Sequence, residues 1–267
     1  MDFSQVIIMT DLDGTLLTDD KQILPQDLEA IQRFVAGGGL FTVATGRGCG
    51  MARSIVKKLG IDIPAVVFNG AAVYDFTEEK FVWQCEIGMH ARDYIRRLHE
   101  QFPDLGIEVL HEQTIYTPFL NQTELDHLAL EGIPPHPCTI DELPESGWLK
   151  VLLAHEPEKM DEVQKYIEVS DMQQAQWVRS APVYYECLPE GVDKSTGFRM
   201  LKEKLGVRGF YSVAAGDYMN DLAMIQKADL GVAVASAQEA VKAAADLVVC
   251  DNNSGAMAEI IDYIERL

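Results

Sequence analysis

An apolar run that empties into two carboxylates sets what this chain can become. In Val6-Ile7-Ile8-Met9-Thr10-Asp11-Leu12-Asp13-Gly14-Thr15, a run of strand length leads straight into Asp11 and Asp13, with a glycine and a hydroxyl immediately after. A continuous apolar run rich in β-branched residues reads as a strand buried on both faces of a parallel sheet. Open α/β sheets place their chemistry just past the carboxyl ends of strands, and Asp11 and Asp13 stand there. A turn explains Asp13-Gly14 alone, but not a second acid at the strand end. Two ionised carboxylates this close repel each other and need a cation or a shared proton. Mg²⁺ prefers oxygen ligands and usually shares them with a phosphate.

The chain then alternates. Pro25 opens a helical pattern ended by Gly37-Gly38-Gly39, and Leu40-Phe41-Thr42-Val43-Ala44 is a second strand running into Thr45-Gly46-Arg47-Gly48. A helix to about Leu59 leads to a third strand, Ala65-Val66-Val67-Phe68, ending in Asn69-Gly70. After a hairpin over 74–83, helices (91–101, 123–130, 157–169) mix with strands (107–110, 149–154, 176–179, 183–186). Regular alternation resumes after Gly191. A helix from Lys194 precedes a strand over 210–214 that ends in Ala215-Gly216-Asp217-Tyr218-Met219-Asn220-Asp221, then a helix over 221–228. Further strands (229–234, 247–249) and helices (237–245, 254–267) complete the pattern. The expected fold class is α/β: a Rossmann-like, doubly wound parallel sheet core of six strands with an inserted α+β cap domain. The core is expected over 1–84 and 188–267, and the cap over 85–187.

Charge and cysteine usage narrow the function. The formal net charge of −20 argues against nucleic acid, whose phosphates are bound through Lys and Arg, and against an anionic membrane surface. It leaves room for a small phosphorylated substrate, which needs only local positive charge. No apolar run approaches the roughly 18 residues that span a membrane, and no basic-then-apolar leader opens the chain. The five cysteines are scattered and include no CxxC pair, so a cytoplasmic protein with reduced thiols is expected. All six histidines lie between His90 and His155. Acid–base work near Asp11 therefore falls to carboxylates.

Four strand ends carry polar residues: Asp11 with Asp13, Thr45, Asn69, and Asp217 with Asn220 and Asp221. A parallel sheet brings such ends onto one rim. Lys194 adds a cation at a helix start. Each has a bland alternative. Thr45 and Asp217 are plausible N-caps, Gly216-Asp217 a plain turn and Lys194 a solvated side chain. Their joint occurrence in this order is what favours a site.

The same order resembles the four motifs of the haloacid dehalogenase-like superfamily: Asp11-Leu12-Asp13-Gly14-Thr15, then Thr45-Gly46-Arg47, then Lys194, then Gly216-Asp217 with Asn220-Asp221. Asn69-Gly70-Ala71, the large insert after the third strand, and Gly231-Val232-Ala233-Val234 resemble its Cof-type phosphatases of sugar phosphates and other small phosphometabolites. Tyr218 and Asp251-Asn252-Asn253-Ser254-Gly255 depart from the family pattern, with an expected effect on packing or substrate choice.

The resemblance implies a Mg²⁺-dependent phosphatase in which Asp11 is the nucleophile and forms an aspartyl-phosphate. Asp13 is implied as general acid and then base, with a pKa near working pH raised by neighbouring negative charge. The implied metal set is Asp11, the Asp13 carbonyl and Asp217, with Asp221 orienting the metal's waters or Lys194. Thr45 is implied to donate to a phosphate oxygen, backed by the Gly46 and Arg47 N–H groups. Lys194 is to spread the developing charge, while Asn69 and Asn220 hold phosphate or substrate. Arg47 is either a second phosphate contact or a structural salt bridge. The insert would act as a lid. Two other functions fit: a phosphomutase acting on a sugar phosphate, and a non-catalytic metabolite-binding regulator. The expected assembly is a monomer or small homo-oligomer.

Overall fold

The computed structural model describes residues 2–112, 114–130 and 134–267. In chain order the first elements are β1 (Val6–Thr10), α1 (Pro25–Ala36), β2 (Leu40–Val43), α2 (Cys49–Leu59), β3 (Ala65–Val67), β4 (Ala72–Asp75) and β5 (Lys80–Gln84). Next come α3 (His90–Gln101), β6 (Gly106–His111), β7 (Thr114–Phe119), α4 (Gln122–Leu130), β8 (Trp148–Ala154), α5 (Pro157–Val169), β9 (Gln176–Ala181) and β10 (Tyr184–Leu188). The chain closes with α6 (Lys194–Lys204), β11 (Tyr211–Gly216), α7 (Leu222–Lys227), β12 (Leu230–Val234), α8 (Glu239–Ala244), β13 (Leu247–Val249) and α9 (Ala256–Arg266). Residues 2–47, 52–83 and 193–267 make one compact unit, while Gly48–Met51 and Gln84–Val192 make the other.

The first unit holds the expected parallel sheet, in the order β13-β12-β11-β1-β2. All five residues of β1 are buried, as a strand covered on both faces requires. On one face Ile7, Met9 and Ala214 pack with Phe198 and Leu201 of α6 and Met224 of α7. From β1 the chain builds outward one way to β2, and from β11 the other way to β12 and β13. Such a reversal leaves a crevice at the carboxyl ends of the two central strands, which are β1 and β11.

The third strand differs from its expected place. β3 pairs antiparallel with β4 in a separate sheet, β3-β4-β5. It meets the parallel sheet through one bridge, Ala44 to Val66, where the Thr45 N–H donates to the Val66 carbonyl at 3.0 Å. The parallel sheet therefore has five strands, not six. The cause is local. Phe68 and Asn69 both adopt φ +52°, so the chain doubles back at once instead of crossing over through a helix. Gly70 (φ +100°) lets this turn touch the start of α6, since a Cβ there would lie 1.9 Å from the Asp193 carbonyl oxygen.

In the second unit the sheet order is β7-β6-β8-β10-β9, every pair antiparallel. β7 is an edge strand not expected from sequence; it carries Pro118, which an edge tolerates. Ile107, Val109, Val151 and Leu153 face α3 and α5 in an apolar core. The alternation of the pleat turns Glu108 to the opposite face, where Glu124 of α4, Lys150 of β8 and Glu186 of β10 are also buried. Lys150 Nζ lies 3.3 Å from Glu186 Oε2, and Ser180 Oγ donates to Glu186 Oε1 at 2.6 Å. Burial, then the charge of Glu108, pushes the Glu124 carboxyl up to about 10, against the pull of Lys150. Glu124 is thus a buried neutral acid beside Glu108.

None of the five cysteines is in a disulfide. Among the described residues, no helix is long and apolar enough to cross a membrane.

A folded-state pKa above the unfolded value means that the native state holds a proton the unfolded chain releases. Stability is then greatest below the ordinary carboxylate range and falls as pH rises toward about 10. Glu124→Gln is expected to stabilise the protein by about 2 kcal/mol at pH 8 and to have little effect at pH 4. Urea unfolding at the two pH values measures this; equal shifts at both would contradict the protonated state.

Candidate active site

The two central strands of the parallel sheet deliver the carboxylates. The Asp11 N–H continues the β1–β11 ladder by donating to the Ala215 carbonyl at 2.9 Å, so Asp11 leaves the sheet beside the end of β11. The next residues close a tight turn, with the Leu16 and Leu17 N–H groups both donating to the Leu12 carbonyl. Gly14 (φ +81°) makes this turn possible, since a Cβ there would stand 2.5 Å from Asp217 Oδ2. Thr15 Oγ1 donates to Asp217 Oδ1 at 2.9 Å, joining the first motif to the end of β11.

Lys194 is the centre of this group. It is fully buried at the first turn of α6, which Asp193 caps by accepting from the Thr196 N–H at 2.8 Å. Its Nζ donates to Asp11 Oδ1 and to Asp221 Oδ1, both at 2.6 Å. Burial works against its charge, but the two carboxylates outweigh burial and hold the ammonium well above the ordinary lysine value. The other Asp221 oxygen accepts from the N–H groups of Asp217 (3.0 Å) and Tyr218 (3.1 Å). Both oxygens of Asp221 are therefore occupied, and it serves to hold Lys194 and the 216–221 turn in place.

Ligand oxygens of Asp11, Asp217 and Asp221 lie within 4.8 Å of one another. Three carboxylates face one ammonium, and their protonation shows the imbalance. Burial pushes the Asp11 carboxyl well up; Lys194 opposes this, and Asp221, Asp217 and Asp13 add to it. Burial, then Asp221, brings Asp217 to about 7, against the Thr15 hydrogen bond and Lys194. An all-oxygen donor set short of positive charge fits a hard divalent cation.

Asp13 points elsewhere. Its carboxylate forms a fork with Arg47, Nε to Oδ2 at 2.8 Å and Nη2 to Oδ1 at 2.9 Å, and Lys21 Nζ donates to Oδ1 at 2.7 Å. Burial would raise its pKa, but the hydrogen bonds and charges of Arg47 and Lys21 prevail and hold it at about 2. The expected upward shift is therefore corrected: cations, not the neighbouring carboxylates, dominate here. Arg47 takes the salt-bridge alternative. Its N–H also donates to Thr45 Oγ1 at 3.1 Å, so that N–H is engaged inside the turn.

Thr45, Asn69 and Asn220 form a second chain. The Asn69 N–H donates to the Thr45 carbonyl at 2.9 Å, and Asn220 Nδ2 donates to Asn69 Oδ1 at 3.1 Å. Gly46 lies against the Asn69 amide, where a Cβ would come within 2.9 Å of Nδ2. Asn220 Oδ1 is buried without a hydrogen-bond partner. The residues singled out from sequence thus fall in three groups: Asp11, Asp217 and Asp221 about Lys194, Asp13 with Arg47, and Thr45 and Gly46 with Asn69 and Asn220. Sequence reading passed over Lys21. It stands in an ordinary polar turn, 18–21, whose placement depends on residues far away: Asn252 Nδ2 donates to the Leu17 carbonyl and to Asp19 Oδ1, at 2.9 and 3.1 Å.

Comparison with known proteins places this geometry in a wider set. The profile of the haloacid dehalogenase-like hydrolases matches residues 8–261. The protein YxeH of Bacillus subtilis (strain 168) is 29% identical over 267 residues, covering 96% of both chains. The pyridoxal phosphate phosphatase YbhA of Escherichia coli (strain K12) is 27% identical, covering 96% of this chain and 97% of that one. A crystal structure of a haloacid dehalogenase-like hydrolase from Bacteroides thetaiotaomicron superposes with a TM-score of 0.82 at 25% identity, over 97% of this chain and 98% of the other.

Two outcomes are expected at this site. Arg47→Ala should return the Asp13 carboxyl from about 2 to the ordinary value near ~4, read by carbon NMR titration of that side chain. An unmoved titration would remove Arg47 as the cause. Lys194→Met leaves two buried carboxylates without their ammonium and should cost about 3 kcal/mol in urea unfolding at pH 7. A loss below about 1 kcal/mol would mean that the bridge contributes little.

Proposed function

We propose that this chain, which belongs to the haloacid dehalogenase-like hydrolase family and is a phosphoric monoester hydrolase of its Cof type, uses Asp11 and Mg²⁺ to hydrolyse a small phosphorylated metabolite. The observation that carries the reading is the Lys194 ammonium held 2.6 Å from both Asp11 and Asp221, beside a three-carboxylate cluster.

A carboxylate oxygen of Asp11 attacks phosphorus while the bond from phosphorus to the leaving oxygen breaks, giving an aspartyl-phosphate and an alkoxide. Asp13 delivers a proton to that alkoxide, then takes one from the water that attacks phosphorus and regenerates Asp11. In the free protein the Asp13 carboxyl is held at about 2, ready to act as the base. The negative charge of a bound phosphomonoester opposes Arg47 and Lys21 and raises that pKa toward the value an acid needs. Lys194 keeps Asp11 oriented and meets the charge that develops on the transferring phosphoryl group. Thr45 and the Asn69–Asn220 pair bind phosphate or substrate oxygens; the unpartnered Oδ1 of Asn220, an acceptor, suits a substrate hydroxyl.

Asp11, Asp217 and the Asp13 carbonyl would hold Mg²⁺, with Asp221 fixing their neighbours. Bound there, the ion offsets the repulsion between Asp11 and an incoming phosphate. We assign residues 85–187 the role of a cap that selects the leaving group, and the remainder that of the catalytic core. The relative YbhA is named for pyridoxal phosphate, which supports a substrate of that size class. Five cysteines outside any disulfide suit work in the reducing cytoplasm.

The test is release of inorganic phosphate from hexose and pentose phosphates, pyridoxal phosphate, FMN and nucleotides in Mg²⁺, with wild type beside Asp11→Asn. Turnover is expected in wild type, with a loss of at least about a thousandfold in the variant, and chelation by EDTA should be reversed by added Mg²⁺. Equal turnover in the variant would remove Asp11 as nucleophile. Formation of an isomeric phosphate without release would identify a mutase.

A further inference from the structure

Helix α6 carries a second cationic feature that the proposed chemistry does not use. A groove of about 560 Å³ runs beside this helix in the first unit. Four of its ten lining residues are cations, Arg199, Lys202, Arg208 and Lys227, and one is an acid, Glu203. The whole chain has the opposite balance, 22 Lys and Arg against 42 Asp and Glu. Among the ten, Thr196 and Lys227 touch the Asp193 cap of α6, and the ion pairs of Arg199 and Arg208 and the hydrogen bond of Lys202 lead to neither Asp11 nor Asn69.

The cations are only partly neutralised. Glu203 accepts from Arg208 at 2.5 Å and lies 4.0 Å from Arg199. Lys227 Nζ donates to Ser195 Oγ at 2.7 Å and stands 3.7 Å from Asp193 Oδ2. Lys202 Nζ donates to the Phe210 carbonyl at 3.1 Å and sits over the Phe198 ring. Arg199, Lys227 and Arg208 are 66%, 66% and 71% exposed, so their charged heads are available to an incoming ligand. Phe198 and Met224 give the lining an apolar component. Several donors around a partly apolar hollow of this volume make a small-molecule site, and guanidinium forks with ammonium groups favour phosphate oxygens.

We propose that this groove binds a small phosphorylated metabolite at a site separate from Asp11. Its phosphate is held by Arg199, Arg208 and Lys227. Lys202, tied to the Phe210 carbonyl and the Phe198 ring, contributes charge to the rim. The site does not depend on the phosphatase reading, because it needs neither Asp11 nor a metal.

The test uses inorganic pyrophosphate and ADP as probes, titrated into the full-length Asp11→Asn protein so that neither is consumed, with amide NMR shifts locating the binding. Saturable shifts are expected over 195–208 and 224–229, with Kd at or below about 1 mM. The double charge reversal Arg199→Glu with Arg208→Glu should weaken binding by at least about tenfold. Both positions are well exposed, so the fold is expected to survive, as an otherwise unchanged amide spectrum would show. Arg199→Ala with Arg208→Ala repeats the test with a milder change. Shifts confined to 11–15, 45–47 and 217–221, shifts that do not saturate, or binding that neither variant weakens would each overturn the proposal.

Discussion

One buried ammonium holds the parallel sheet's carboxyl rim together. Lys194 reaches Asp11 after β1 and Asp221 after β11, both at 2.6 Å, and so links three segments distant in sequence. Burying such a group is costly unless its partners are in place. Here they are supplied by the backbone as well: Asp221 is fixed by two N–H donors of its own turn, and Lys194 by the Asp193 cap and the close approach of Gly70. The site and the packing of α6 on the sheet are therefore one structure. A change that loosens the turn at Gly70 would reach Lys194 without touching a carboxylate.

Beside this rigid group stands an adjustable one. Asp13 is 39% exposed and balanced between Arg47, from the turn after β2, and Lys21, from a polar loop. That loop is in turn tied to the far end of the chain through Asn252, buried at 3% exposure. The Asp251–Gly255 turn is thus linked to the loop that carries Lys21. Placing cations on the acid–base candidate while the nucleophile candidate keeps a buried ammonium separates the behaviour of two carboxylates one residue apart.

The second unit has a different physical character. Its apolar core lies under α3 and α5, while the opposite sheet face buries three glutamates and a lysine beside α4. Burial and the charge of Glu108 keep Glu124 protonated there, an arrangement that depends on pH. Nothing in the local sequence announces it. Glu108 and Glu124 look like ordinary surface residues until the pleat of β6 and the docking of α4 bring them together.

The sequence by itself determined the alternation of strand and helix, the buried central strand, and the placement of Asp11, Thr45, Asn69 and Asp217 at strand ends. These follow from apolar periodicity and from residues beside turns, which are local signals. Only the tertiary structure decided the rest. The apolar run 65–68 suits either a parallel or an antiparallel partner, and the left-handed turn at Phe68-Asn69 settles it in favour of β4. Arg47 could serve a phosphate or a carboxylate, and the distance to Asp13 settles that choice in the free protein. The pKa of Asp13 was misjudged from sequence because adjacent acids are visible along the chain, whereas Lys21 and Arg47 become its neighbours only on folding. Electrostatic environment depends on distance in space, and the chain order records only distance along the backbone.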